Sequence, residues 1–278
     1  MNAAHAESQT NEPATDVTDD AGPEPPEFDG KVALVTGASR GIGAATARLL
    51  AARGAQVVVN CRKGAEAAQE VVDSIRRRGG QAVALQGDVT DPEQVSALVA
   101  GATAELGPID VLVLNAAGLG AHDFRIAPAT ELTWDDLELV VTQQLKALFL
   151  TTRAVLPDMV ARGGGSVVAV GAALARRPSP GFLSLAIAKA GVEAAVRTLA
   201  MEVSPHGVRV NAVEPNLILT ELSQYIPEAQ RQAAAERAAL RRNGTPEDVA
   251  EVIAFAASQR ASYVTGGCLV TDGGTTMV

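Results

Sequence analysis

The chain has 278 residues, 47% of them hydrophobic, and this length fills one domain with a single core. Its formal charge of −9 is uneven: residues 1–30 hold eight Asp or Glu and no Lys or Arg, whereas the other 24 acidic residues nearly balance all 23 basic ones. A near-neutral domain excludes the basic footprint of a nucleic-acid-binding protein, and the lack of a long apolar run excludes a membrane span. Two cysteines are too few for a disulfide framework, and we expect no metal site.

Residues 1–29 are acidic, rich in Pro, Thr and Ala, and poor in large apolar side chains, a composition typical of disorder. They lack the basic start and the apolar run of a secretory signal, so we expect a cytoplasmic protein. The folded domain is predicted over residues 30–278.

The first predicted strand is Lys31–Val35, a short apolar run of the kind that parallel sheets bury on both faces. It leads through a turn containing Gly37, Gly41 and Gly43 into a helical stretch over Ala44–Arg53. Glycines let the backbone turn tightly and approach a pyrophosphate at the N-terminus of a helix. Such turns also join strands to helices for purely structural reasons, but the placement of this one favours nucleotide binding.

The second predicted strand, Ala55–Val59, is followed by Asn60 and then by Arg62 and Lys63. Proteins that prefer NAD usually place a carboxylate at the end of this strand to bind the ribose hydroxyls. No carboxylate stands there, and Arg40, Arg62 and Lys63 supply positive charge that suits a 2′-phosphate. The sequence therefore predicts NADP(H) rather than NAD(H), with solvated surface charge as the alternative interpretation.

Further apolar stretches alternate with helical ones along the rest of the chain. The segments that hold or end these strands are Gly87–Asp91, Val111–Gly118, Gly165–Ala172, Gly207–Pro215 and Tyr263–Gly274. This alternation predicts a single α/β domain with a doubly wound parallel sheet of Rossmann type and helices on both faces. Taken alone, some of the polar residues have structural uses, and Asn115 could simply tie strand ends together.

Together, and in this order, the motifs resemble those of the short-chain dehydrogenase/reductase family, and the chain is similar to bacterial β-ketoacyl-carrier-protein reductases. The resemblance runs from about Lys31 to the C-terminus and includes Thr-Gly-x-x-x-Gly-x-Gly at Thr36–Gly43. It implies a nicotinamide cofactor and a small-molecule substrate. The positions that it assigns to cofactor binding are Gly37, Ser39, Arg40, Gly41, Ile42, Gly43, Asn60, Arg62, Lys63, Asp88, Val89, Asn115, Ala116, Ala117, Gly118, Lys189, Pro215, Ile218 and Thr220.

Some of these assignments are specific. The resemblance implies that Asp88 contacts the adenine and that Ile218 and Thr220 hold the carboxamide and a phosphate of the cofactor. Relatives have Pro-Gly after the sixth strand, whereas this chain has Pro215-Asn216. Asn is the commonest non-glycine residue at positive φ, so we expect the turn to keep that backbone conformation.

The catalytic positions of the family are altered. The family's fifth strand ends in two serines, the second of which binds the substrate oxygen, and Gly171 and Ala172 stand in their places. Its Tyr-x-x-x-Lys pair, which shares one face of a helix so that the lysine lowers the pKa of the phenol, is here Leu185 and Lys189. Gln144 takes the place of an asparagine that supports a proton-relay water. Of the four catalytic positions, 144, 172, 185 and 189, only the last keeps the family residue. The other role of that lysine in the family is to bind the nicotinamide ribose.

Three residues are candidates for a replacement proton donor. Glu214 ends the sixth strand, where relatives carry a small residue, and it would need Lys189 or a backbone group as its partner. It could equally be a solvated strand-end charge. His122, beside Asp123, is expected over the substrate pocket, and Tyr225 falls in the mobile lid of the family. The alternative for His122 is a solvated loop residue, and the alternative for Tyr225 is a side chain that packs the lid.

The resemblance leaves several functions open. The first is an oxidoreductase acting on a ketone, an alcohol or a polyketide- or acyl-type substrate with a non-family proton donor. A non-redox isomerase, dehydratase or cyclase is the alternative enzyme. The others are a catalytically silent subunit that supports an active partner of the same family and a dinucleotide-sensing regulator.

The resemblance also implies a homodimer or homotetramer, formed through long helices over about residues 133–160 and 181–203 and through the last strand. The first of these helices carries an apolar stripe at helical spacing, which could instead be ordinary core. The stripe consists of Leu137, Val140, Val141, Leu145, Leu148 and Phe149.

Overall fold

A computed structural model describes residues 26–119, 124–223 and 226–277. Its strands are β1 (Val32–Val35), β2 (Gln56–Cys61), β3 (Gln81–Gln86), β4 (Val111–Leu114), β5 (Gly165–Val170), β6 (Val208–Pro215) and β7 (Cys268–Thr271). They form one parallel sheet in the order β3-β2-β1-β4-β5-β6-β7. The strand order reverses between β1 and β4, so a crevice opens at the carboxyl ends of these two strands.

Helices cover both faces of the sheet, which confirms the predicted fold class. They are α1 (Gly41–Ala52), α2 (Ala65–Arg77), α3 (Pro92–Leu106), α4 (Trp134–Arg162), α5 (Leu183–Val203), α6 (Glu228–Arg237) and α7 (Pro246–Ala257). Successive residues of a strand point to opposite faces. Val35 accordingly packs with α1, α2 and α7, whereas Leu34 packs with α3, α4 and α5.

Side-chain caps fix where several helices begin. Asp91 accepts backbone hydrogen bonds from the first turn of α3, and Thr133 forms a reciprocal capping box with Asp136 at the start of α4. Thr245 and Asp248 repeat that arrangement at α7. The start of α1 differs, because Arg40 precedes it without a side-chain cap.

The folded unit begins earlier than the predicted residue 30. Phe28, at 2% exposure, is buried in the core that α1, α2 and α7 form with the sheet. Its backbone N–H donates to the carbonyl of Arg53, and the neighbouring Glu27 pairs with the same arginine. Assigning residues 26–29 to a disordered tail was therefore wrong, because the buried Phe28, its backbone hydrogen bond and the ion pair of Glu27 attach them to the core.

The predicted stripe on α4 divides between the core and the surface. Val140 and Leu148 are buried, whereas Phe149 is 56% exposed. Ile187 and Met201 of α5 are also exposed apolar side chains. Assembly through these helices stays a prediction. Within the described ranges, no helix has the length and apolarity needed to cross a membrane.

Candidate active site

A groove of about 400 Å³ lies at the carboxyl ends of β1, β2, β3 and β4. Most of the predicted cofactor positions line it: Gly37, Ser39, Arg40, Gly41, Ile42, Asn60, Arg62, Lys63, Asp88, Val89, Asn115, Ala116, Ala117, Gly118 and Thr220. Cys61, Gly87 and Leu119, which were not among the predicted cofactor positions, also line it. This is the crevice in which open α/β sheets bind their ligands.

The glycine turn shapes the floor of this groove. Gly37 has a φ of +62°, and a Cβ on Gly43 would lie 2.5 Å from the Gly37 carbonyl oxygen and 2.6 Å from Nδ2 of Asn115. Helix α1 starts without a side-chain cap and without an acidic residue in its first turn. Its positive end is thus available to an anionic group, and the turn fits the pyrophosphate of a dinucleotide.

Two amide side chains hold the turn in place. Asn115 donates from Nδ2 to the carbonyls of Thr36 and Gly37, each at 3.0 Å, so it does tie strand ends together. Asn60 is buried, accepts from the backbone N–H of Gly37 and donates to the carbonyls of Leu85 and Gly87. The Asn60 amide is therefore engaged in bracing β2, β3 and the turn, a role that the sequence did not predict.

Positive side chains border the groove at the start of α1 and after β2. Arg40 and Lys63 are exposed. Arg62 donates to the carbonyl of Gly118 at 2.9 Å and lies 3.9 Å from the carboxylate of Asp88. Arg62 therefore links β2 to the segments after β3 and β4, and the exposed cations beside it are the ones directed to solvent.

Of the cofactor positions predicted in β6 and the segment after it, one lines the groove. Thr220 borders it, with its methyl 3.3 Å from where a Cβ on Gly41 would lie. Ile218 is buried in the α1/α7 core, and Pro215 is buried at the end of β6. The expectation for Asn216 was wrong: among the described residues other than glycine, a positive φ occurs at Arg241.

Lys189 is buried near the carboxyl end of β5. Its Nζ donates to the carbonyl of Val170 at 2.8 Å. Burial lowers the pKa of Lys189 to about 8, against an opposing effect of the negative charge of Glu214. An amine with this pKa changes its protonation state near neutral pH.

The other altered family positions are Leu185, Ala172 and Gln144. Leu185 and Ala172 are half-buried, and neither carries a hydroxyl. Gln144 is 5% exposed, and within the described residues its buried Oε1 has no hydrogen-bond partner. The hydroxyl of Ser184 is buried and equally without a partner there, which the sequence analysis missed although this serine directly precedes Leu185.

Two candidates, His122 and Tyr225, lie outside the described residues, as does Asp123 beside the former. The remaining tyrosine, Tyr263, is fully exposed and precedes β7 rather than belonging to it.

Residues 37–276 match the family model described as enoyl-(acyl carrier protein) reductase. The chain is 42% identical to cis-4-hydroxycyclohexanecarboxylate dehydrogenase of Sinomonas cyclohexanicum, over 90% of this chain and 98% of the relative. It is 38% identical to 3-oxoacyl-[acyl-carrier-protein] reductase of Thermotoga maritima, over 89% and 98%. The human dehydrogenase/reductase SDR family member 4 is 40% identical, over 88% and 87%.

This chain belongs to the short-chain dehydrogenase/reductase family. A solved structure of 7α-hydroxysteroid dehydrogenase with NADH and 7-oxo glycochenodeoxycholic acid superposes on it with a TM-score of 0.84 and 34% identity, covering 90% of this chain and 96% of that one. The relatives that resemble this chain in sequence and in structure are thus named as dehydrogenases or reductases, which supports an oxidoreductase enzyme.

Glu214 departs most from what the sequence led us to expect of a family member. It is fully buried on β6, so the solvated alternative was wrong, and its ion-pair partner is Arg176 rather than Lys189. The two atoms in contact, Oε2 of Glu214 and Nε of Arg176, are 3.3 Å apart. Burial raises the pKa of Glu214 to about 6, the negative charge of Glu193 adds to this, and Arg176 opposes it.

Glu214 belongs to a cluster that the sequence did not reveal. Ligand-type atoms of Glu193, Glu214 and Cys268 all lie within 4.8 Å of one another. Arg176 and Arg197 approach Glu193 to 3.2 Å and 2.6 Å, so two guanidiniums supply the positive charge that a metal would otherwise bring. Burial and then the two carboxylates raise the pKa of the Cys268 thiol to about 11, which keeps it protonated. One local signal in the sequence was the spacing of Glu193 and Arg197, which lie one turn apart on α5 and pair in the structure.

Proposed function

We propose that this chain is an NADP(H)-dependent oxidoreductase that interconverts a ketone and a secondary alcohol on a ring or an acyl chain. The observation that carries the proposal is the groove, in which the glycine turn, the uncapped start of α1 and the ends of β1 to β4 meet. The names of the relatives point to the same chemistry, because each contains a secondary alcohol or a ketone. These compounds are a hydroxycyclohexane acid, a 3-oxoacyl thioester and a 7-oxo steroid.

The preference for NADP(H) is supported by charge. The exposed Arg40 and Lys63 line the groove, and so does Arg62. At the end of β2, where a carboxylate would repel a 2′-phosphate, Asn60 is neutral and its amide is engaged. A guanidinium and an ammonium suit the doubly charged phosphate, and neither is needed by a free ribose hydroxyl.

We assign the proton transfer to Lys189. A bound nicotinamide supplies or accepts the hydride, and the substrate oxygen must gain or lose a proton in the same reaction. Lys189 lies one turn after Leu185 on α5, on the face where the family carries its tyrosine. Leu185 is shorter than the family's tyrosine and carries no proton to donate, so the ammonium of Lys189 is the acidic group next to position 185. One N–H bonds to Val170, and the others can donate to the substrate oxygen directly or through a water held by Oε1 of Gln144.

Glu214 is less suited to that step, because its carboxylate lies on β6 against Arg176 and not on the face of α5 where the family carries its proton donor. A general acid has to be within hydrogen-bond reach of the reacting oxygen or one water away. Lys189 is the better candidate for two reasons: it lies one turn from the position of that donor, and its pKa of about 8 lets it give a proton in one direction and take it back in the other.

The test is a binding and turnover assay on the purified protein. NADPH and NADH are titrated by calorimetry, and NADPH oxidation is followed with 4-oxocyclohexanecarboxylate, a 3-oxoacyl thioester and a 7-oxo bile acid. We expect tighter binding of NADPH and reduction of at least one ketone. If NADPH binds but is oxidised with none of the three ketones, the result contradicts the oxidoreductase proposal and favours a catalytically silent subunit. Equal affinities for the two cofactors would contradict the NADP(H) preference alone.

A further inference from the structure

Gly171 and Glu214 fit each other across neighbouring strands. Gly171 follows β5, and its N–H donates to the carbonyl of Val213 on β6, at 2.8 Å. A Cβ at Gly171 would lie 2.9 Å from Cγ of Glu214, closer than real Cβ atoms approach. A side chain at position 171 and a glutamate at position 214 thus exclude one another. The family pattern has a serine at position 171 and a small residue at position 214. This chain has the reverse, a glycine at 171 and a large residue at 214.

Arg176 connects this pair to α5. It belongs to the segment between β5 and α5, and its Nε lies 3.2 Å from Oε1 of Glu193 and 3.3 Å from Oε2 of Glu214. Its Nη2 donates to Oε2 of Glu193 at 3.3 Å. The carboxylates are 9% and 0% exposed. One guanidinium therefore joins three elements: it donates hydrogen bonds to Glu193 and forms an ion pair with Glu214, whose carboxylate oxygens have no hydrogen-bond partner among the described residues. Because both carboxylates are buried, the attraction is screened less than in a surface ion pair.

The segment that Arg176 anchors borders the site. It runs from Ala172, the place of the family's substrate-binding serine, to Leu185, the place of its tyrosine. Further along, the carbonyl of Gly181 accepts from the N–H of Ala127 in the segment that follows β4. Because Arg176 lies between positions 172 and 185, which the family pattern assigns to the substrate, we expect a shift of Arg176 to change the shape of that side of the site.

We propose that Glu214, Arg176 and Glu193 form a clamp that positions the β5–α5 segment around the substrate, and that Gly171 is the counterpart that makes room for it. Glu214 and Arg176 are positioning residues, because they act on the site through this segment and through the charge near Lys189. The kinetic part of this inference rests on the proposed function, whereas the structural part stands independently of it.

The charges around Glu214 determine what happens when it is neutralised. Arg176 approaches it from the β5–α5 segment, Glu193 and Lys189 belong to α5, and Cys268 belongs to β7. Arg197, also on α5, balances Glu193. Glu214→Gln removes a negative charge that favours the ammonium form of Lys189, so the pKa of the lysine falls further. The pH above which reduction declines is then expected to move below that of the wild-type protein.

The structural test is a double-mutant cycle on Gly171→Ala and Glu214→Ala. Each single variant is expected to lower Tm by about 3–10 °C, the first through a clash and the second through a cavity and a less compensated Arg176. The double variant is expected to lose clearly less Tm than the two single losses added together, because removing the Glu214 side chain also removes the clash with the new Cβ at position 171. Strict additivity would overturn the pairing of the two positions. Gly164→Ala is the control, because a Cβ there meets no atom within 4 Å.

The functional test uses Glu214→Gln, which keeps the shape of the side chain and removes its charge. We expect faster hydrogen exchange over residues 172–182, a KM for the ketone raised by about tenfold, and a Kd for NADPH within about twofold of the wild type. Unchanged KM, exchange and pH profile, with a lowered Tm alone, would reduce the cluster to a stabilising element and overturn the clamp. If the wild type bound NADPH and reduced no ketone, the proposed function would fail, whereas hydrogen exchange and the double-mutant cycle would still decide the clamp.

Discussion

The cofactor groove and the catalytic end of the site lie on the same edge of the sheet, yet they have changed to different degrees. At the ends of β1 to β4, most of the residues that line the groove are those that the family pattern assigns to the cofactor. After β5 and in the first turn of α5, Ala172 and Leu185 lack the hydroxyls of the family, and Glu214 of β6 brings a buried charge. Cofactor binding depends on backbone shape, which glycines encode. Proton transfer depends on a few side chains, which can be exchanged while the fold persists.

The largest effect that would sharpen this comparison is expected at Lys189. Lys189→Arg keeps a positive charge and hydrogen-bond donors for the ribose, but a guanidinium does not release its proton near neutral pH. We expect kcat for ketone reduction to fall by about 10²–10⁴-fold, with the Kd for NADPH changing by less than about fivefold. Stopped-flow turnover and calorimetry measure the two quantities separately.

The wild-type pH profile provides the control, since a larger side chain at this buried position could also disturb packing. Reduction needs the ammonium form, so its rate should fall as the pH rises through about 8, the pKa of Lys189. Oxidation needs the neutral amine and should rise over the same interval. Rates that are flat across this range in both directions would exclude Lys189 as the proton donor.

The groove itself can be broken at Gly43. Gly43→Ala places a Cβ 2.5 Å from the carbonyl oxygen of Gly37, so the turn has to open. We expect the Kd for NADPH to rise by at least about 100-fold, which corresponds to roughly 2.7 kcal/mol. Gly164→Ala is again the matched control, and wild-type affinity in Gly43→Ala would show that the turn does not hold the cofactor.

Restoring the family residues tests the catalytic end. The replacements Leu185→Tyr and Ala172→Ser together should raise ketone reduction by about 10-fold to 100-fold, because a phenol above Lys189 and a hydroxyl for the oxyanion are regained. Each single variant serves as a control for the other. If the double variant binds NADPH and gains nothing, the pocket differs in more than these two side chains, and the clamp at Arg176 becomes the first place to examine.

The sequence predicted the fold and the groove because both follow from repeated local signals. Apolar runs, glycine spacing and helix starts each restrict the backbone on their own, and they agree with one another along the chain. Phe28 escaped this reasoning, since a single aromatic residue next to an acidic, proline-rich stretch carries no periodic signal.

The partner of Glu214 was unpredictable for a different reason. Arg176 is 38 residues away along the chain and lies in an irregular segment, so only the register of β5 and β6 brings the two side chains together. Asn60 and Asn115 show a related limit. Their position next to the groove suggests ligand contacts, yet in the folded protein their amides bond to backbone groups of the turn.

The smallest effect is expected for the choice of cofactor. Arg40→Ala and Lys63→Ala each remove an exposed cation beside the groove, and a solvated charge contributes less than a buried one. We expect each replacement to weaken NADPH by about three- to tenfold and to leave NADH within about twofold, so that the double variant loses most of the preference. Arg62→Ala should act more broadly, because Arg62 also bonds to Gly118 and approaches Asp88, and both cofactors need that part of the groove. Titrations of NADPH and NADH at two salt concentrations separate the cases. A 2′-phosphate contact weakens with added salt for NADPH alone, whereas an equal loss for both cofactors would place these cations away from the phosphate.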